Sequence, residues 1–168
     1  IKLLCEALDS KDTLVREKVL WALINGGIGR DLVPMPINKL TELLDDKSVD
    51  IRMNAAIALG FSSLNRLDTS MAVPKLVKLL DDKSSRSGSL EKGYVRGCAA
   101  FALAAYYLCI SPNRGDDEKL QELFKNSDKV IREGALRAQA LVKWGVIMHG
   151  AIKEGSVIEI SNATMRDN

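Results

Sequence analysis

Aromatic residues are scarce, 5% of 168, and no stretch alternates apolar and polar residues with a period of two. Both absences argue against a sheet. Histidine occurs once, at His149, so neither a His-based metal site nor a Cys-His pair backed by a second imidazole can be built. Neither sign of charge is in excess: 24 Lys and Arg against 22 Asp and Glu leave +2, too balanced to direct the chain to nucleic acid or an acidic membrane. No apolar run approaches the ~20 residues of a membrane span, and no signal peptide is visible, which points to a soluble intracellular chain. No glycine-rich phosphate loop follows a strand, and Gly26-Gly27-Ile28-Gly29 matches one poorly. Cysteine is limited to Cys5, Cys98 and Cys109. Cys98 and Cys109 fall on one predicted helix, roughly 16 Å apart at its rise per residue and beyond disulfide reach, so reduced thiols between helices are expected.

What the chain does have is repetition. A β-branched residue followed by Arg occurs at Val15-Arg16, Ile51-Arg52, Val95-Arg96 and Ile131-Arg132, with spacings of 36, 44 and 36 residues. The longer spacing holds an eight-residue insertion, residues 84–91, because Leu8, Leu44 and Phe124 each precede their Arg by eight while Leu80 precedes its own by sixteen. Before each Arg stands an apolar set at helical spacing: Leu4, Ala7, Leu8; Leu40, Leu43, Leu44; Leu76, Leu79, Leu80; Leu120, Leu123, Phe124. After it stands a second: Val19, Leu20, Ala22, Leu23; Ala55, Ala56, Ala58, Leu59; Ala99, Ala100, Ala102, Leu103; Ala135, Leu136, Ala138, Gln139. Each unit therefore reads as two helices joined by a polar turn, and the fixed period points to a solenoid. Asp12, Ser48 and Asp128 stand four residues before their Arg, where a side-chain oxygen can cap the second helix; Lys92 stands there in the third unit.

Leu44-Asp45-Asp46, Ile51-Arg52, Ala55-Ala56 and Ala58-Leu59-Gly60 resemble the HEAT-like repeats of phycobilisome lyase subunits. The resemblance implies an all-α fold, an α-solenoid of about four two-helix HEAT-like repeats. The units span about 1–30, 31–66, 67–112 and 113–150, within a repeat domain 1–150 followed by a tail 151–168. It also implies that Arg16, Arg52, Arg96 and Arg132 bond to turn acids such as Asp45 and Asp81 of neighbouring units, forming a ladder. Ile1, with no methionine and little helix before Leu4, reads as the start of a fragment of a longer array. The last second helix is expected from about Val130 to Met148, with Val157 to Ile160 as a short extended piece.

No residue set points to catalysis, a metal or another cofactor. HEAT-like hydroxylases hold iron with several His-Glu dyads, and none is present. His149 reads as a helix C-cap, the recurring acid pairs as structural, the Ser- and Gly-rich insertion as an exposed loop, and Asn162-Ala163-Thr164 as chance. The informative feature is the side of the second helices opposite their core positions. It carries Leu14 and Trp21 in unit one and Met53, Ile57 and Phe61 in unit two. Tyr94 and Phe101 follow in unit three and Arg137 in unit four. Stacking lays these along one line, on the concave side by the resemblance. An apolar strip rimmed by mixed charge suits a segment of another protein, with Arg137, Glu17 and Glu133 setting register. The strip also suits a second copy of the chain, or internal cover by strong curvature of the stack or by the tail Val157 to Ile160 folding back across it. A nucleic-acid module would need a strongly basic face, and an accessory subunit of a bilin lyase would use the same surface to hold its substrate.

Overall fold

The computed structural model describes residues 2–27, 35–84, 94–111 and 117–154, and of residues 2, 4, 26, 27, 117 and 145–154 the backbone alone. The insertion beyond Ser84, Lys92, the extended piece Val157 to Ile160, Asn162 and the side chains of Leu4 and His149 lie outside the described residues.

Among the described residues the chain is all-α, with no strand. The helices run α1 (Lys2–Leu8), α2 (Thr13–Gly27), α3 (Ile37–Leu43), α4 (Val49–Leu64), α5 (Val73–Leu79), α6 (Tyr94–Cys109), α7 (Asp117–Phe124) and α8 (Lys129–Glu154), with a 3-10 turn Ser70–Ala72 ahead of α5. Pro74 sits in the first turn of α5, where its missing amide leaves no bond unmade. The final helix continues through Gly150 to Glu154 instead of ending near Met148, since an interior glycine costs only about 1 kcal/mol and Ala151 to Glu154 follow it.

The odd-numbered helices have seven or eight residues, too few to persist alone in water, and each packs on the longer helix that follows it. The long helices pack on one another in order, α2 on α4, α4 on α6 and α6 on α8, making one continuous layer. Between the layers lie Leu40, Leu43, Leu44, Ile51, Leu59, Leu76, Val95, Leu103 and Leu123, all buried, each worth roughly 1.5–3 kcal/mol of apolar burial. Ala55, Ala56, Ala58, Ala99, Ala100 and Ala102 are almost completely enclosed, as their spacing predicts. Ala22 and Leu136 are exposed despite occupying core positions of the pattern. Both lie on α2 and α8, which among the described residues have a long helix packed on one side only.

The repeated arginines stitch the units together. Arg16 Nη2 reaches both carboxylate oxygens of Asp46 at 3.1–3.2 Å, and Arg52 Nε donates to Asp82 at 3.0 Å. Arg96 Nε forms an ion pair with Asp128 at 2.8 Å. Arg16, Arg52 and Arg96 so reach the turn of the following unit, Arg132 pairs with no acid of another unit among the described residues, and the Nη1 groups of Arg16, Arg52 and Arg132 donate to carbonyls of their own turns. The acids differ from the expected Asp45 and Asp81. Asp46 stands six residues before Arg52, where Ser10 and Asn126 stand in the outer units, and Asp82 holds the same place before Arg96 once the eight-residue insertion is set aside. At all four positions the side-chain oxygen accepts the amide two residues on. That bond fixes the second acid of each pair toward the preceding unit. Asn126 carries no charge, so the ionic role passes to Asp128. Asp45 serves a parallel link, pairing with Lys75 of the next unit at 2.7 Å, as Asp9 pairs with Lys39. Asp12 and Asp128 cap α2 and α8 through the amides of Leu14 and Val130, whereas Ser48 makes no side-chain cap on α4.

At the end of α4 the amide of Leu67 donates to the Ser62 carbonyl and that of Arg66 to the Ser63 carbonyl, both at 2.9 Å. This Schellman closure puts Arg66 at φ 61°, a conformation that glycine adopts without steric cost. Arg66→Gly is expected to raise the urea midpoint by an amount equivalent to up to about 1 kcal/mol. A second expectation concerns acid. Burial pushes the Asp82 carboxyl up, but hydrogen bonds from Ser84 and the Arg52 charge outweigh it and hold the group below the usual carboxylate range. The Lys75 hydrogen bond does the same for Asp45. A carboxyl depressed in the folded state stabilises it above the unfolded pKa of about 3.9 and loses that contribution as pH falls through the folded value. Urea unfolding should therefore show stability dropping below about pH 4, and Asp82→Asn should flatten the slope there.

Candidate functional site

Three long helices enclose a cavity of about 590 Å³ on the side away from the short ones. From α4 come Ile57 and Phe61, from α6 Tyr94, Gly97, Cys98 and Phe101, and from α8 Lys129, Val130, Glu133, Gly134, Arg137, Ala140 and Leu141. Its size lies in the range that takes most of a drug-sized ligand out of water.

The helix-to-helix spacing is set by glycine. A Cβ on Gly134 would lie 2.1 Å from the Gly97 carbonyl oxygen, so the backbones of α6 and α8 touch there. A Cβ on Gly60 would lie 2.3 Å from the Phe101 ring, so α4 leaves a hollow into which that ring drops. Phe101 is then only 7% exposed and meets Phe61 edge to face, with centroids 5.5 Å apart at 63°. It forms the floor of the cavity rather than part of an exposed strip, because α6 has a long helix on each side. Met53 is buried too, on α4, which is flanked in the same way. Leu14 and Trp21 are exposed on α2 and line no part of the cavity. Of the eight residues expected on the strip, the structure brings Ile57, Phe61, Tyr94, Phe101 and Arg137 together and leaves Leu14, Trp21 and Met53 apart. Gly97, Val130, Gly134 and Leu141 also occupy positions opposite the core, and reading only large side chains passes over the glycines.

The charged groups of the site sit on one helix, α8. Glu133 pairs back with Lys129 at 3.6 Å, not forward with Arg137. Among the described residues no acid pairs with Arg137, which is exposed beside the apolar walls. The one thiol at the cavity, Cys98, is pushed up to about 12 by burial, which outweighs the opposing pull of the Arg137 charge. It is therefore protonated at neutral pH and a poor nucleophile. Among the described residues no group of three or more His, Cys, Asp or Glu side chains could hold a metal ion, and no helix is long and apolar enough to cross a membrane. Cys98 should resist iodoacetamide at pH 8 in the folded protein and react only on unfolding, as read by mass spectrometry of the alkylated peptides.

No curated protein matches the chain. A family model described as HEAT repeats matches residues 1–89 and again 37–142. The match is to HEAT repeats at large and does not single out the phycobilisome-lyase type. It covers the paired helices, their turns and the arginine ladder that joins them, and the chain belongs to the HEAT-repeat family.

Proposed function

We propose that this protein is a non-catalytic scaffold that binds a segment of another protein in the cavity between α4, α6 and α8. The observation that carries the reading is the convergence of Ile57, Phe61, Tyr94, Phe101 and Leu141 on one open, apolar space, with Arg137, which no acid among the described residues pairs with, at its edge. Burying aromatic and aliphatic anchors in such a space is the main source of affinity at protein interfaces, and charged groups at the margin choose among partners. HEAT repeats are commonly protein-interaction scaffolds and generally non-catalytic, which agrees. Among the described residues the cavity offers no activated nucleophile: its thiol is held protonated, and the carboxylate of Glu133 is half-exposed and paired with lysine. Charge does not favour nucleic acid, since Lys18, Lys129 and Arg137 along the long helices are matched by Glu17, Asp50 and Glu133.

Ile57→Glu combined with Leu141→Glu places carboxylates on opposite walls without altering fully buried positions. Far-UV circular dichroism should remain that of the wild type, while affinity capture followed by mass spectrometry loses the proteins that the wild type retains. An unchanged set of captured proteins, or capture abolished by nuclease treatment, would contradict the reading.

A further inference from the structure

We infer that the segment accepted by this cavity is amphipathic and acidic: bulky apolar side chains on one face with a carboxylate beside them that meets Arg137. The inference rests on the protein-binding reading of the cavity and specifies its partner's chemistry.

The walls set the first half of the requirement. Ile57, Phe61 and Phe101 present hydrocarbon, and the cavity's 590 Å³ exceeds what one side chain fills. A helical segment with apolar residues at i, i+3 and i+4 supplies several anchors from one face, a common way for peptides to fill a groove between helices.

Arg137 sets the second half. Glu133 is one turn before it on α8, the arrangement in which an acid and a base ordinarily pair along a helix. Here Glu133 is engaged with Lys129, one turn in the opposite direction, so the guanidinium remains without an acid among the described residues. Arg137 lines the cavity with Ile57, Phe61 and Phe101, which places it beside the apolar space and not on the far side of α8. A planar guanidinium at the edge of an apolar site recognises a carboxylate through paired N–H donors. With Lys129 paired to Glu133, the charged groups lining the cavity leave one net positive charge, which favours a singly charged carboxylate over a doubly charged phosphate. A basic segment would place like charges together and lose affinity.

The test uses three labelled synthetic helical peptides with identical Leu and Phe positions and Glu, Gln or Lys at one site beside the apolar face. Fluorescence anisotropy at low salt reads their affinities for the whole chain. The wild type should bind the Glu peptide about threefold to fivefold more tightly than the Lys peptide, the scale of one exposed ion pair. Arg137→Gln should remove the preference and Arg137→Glu reverse it, and raising salt should shrink it. Arg137 is exposed, so both variants should fold, with circular dichroism as the check. Equal binding of the three peptides, all weakened by Ile57→Glu, overturns the acidic preference and leaves the cavity as a docking site. Binding of none of them, or binding that Ile57→Glu leaves intact, overturns both.

Discussion

The contact between Gly134 and the Gly97 carbonyl fixes how closely α8 approaches α6, and the rest of the site follows from it. Side chains that would fill an ordinary helix interface are replaced by backbone against backbone at this point. The alanines of α6, almost fully enclosed, have the same consequence along the helix. Both glycines line the cavity themselves, beside the larger outward residues of the same helices. Phe101 then drops into the hollow over Gly60, Phe61 meets it edge-on, and Val130 and Leu141 complete the opposite wall. The cavity is a product of small residues, Gly97 and Gly134 in its lining and Gly60 behind Phe101, as much as of the large ones.

The arginine links act at a different place and on a different property. They tie turn to turn, at the ends of the helices, where Arg16, Arg52 and Arg96 each reach an acid of the following unit. These side chains are largely shielded from water, so their bonds are stronger than those of surface pairs and are sensitive to geometry. The glycine and alanine contacts govern distance between units, while the links govern register. Both must hold for residues of α4, α6 and α8, spaced far apart in sequence, to face a common space.

Much of this was legible beforehand. The two apolar sets around each β-branched residue plus Arg identified the paired helices found among the described residues. Four of the five residues that line the cavity and were singled out by position, Ile57, Phe61, Tyr94 and Arg137, remain at least partly accessible. Burial of Met53 and Phe101 was not legible, because a helical wheel describes one helix while exposure depends on the neighbours. The choice of Asp46 over Asp45 turned on a side-chain bond to the Ser48 amide, which spacing alone does not reveal. Two signals were present and went unused: Lys39 and Lys75 recur at the ladder's period opposite Asp9 and Asp45, and Gly97 and Gly134 occupy outward positions of adjacent long helices.

The most direct measurement is the urea unfolding midpoint of Gly134→Ala. In a helix interior that freely accommodates a methyl group, this change is stabilising by about 0.5–1 kcal/mol. If the α6 and α8 backbones are in contact at Gly97, the added methyl must push them apart, and the midpoint falls by an equivalent of about 1–3 kcal/mol. A midpoint that rises would contradict the close approach, and with it the shape of the cavity.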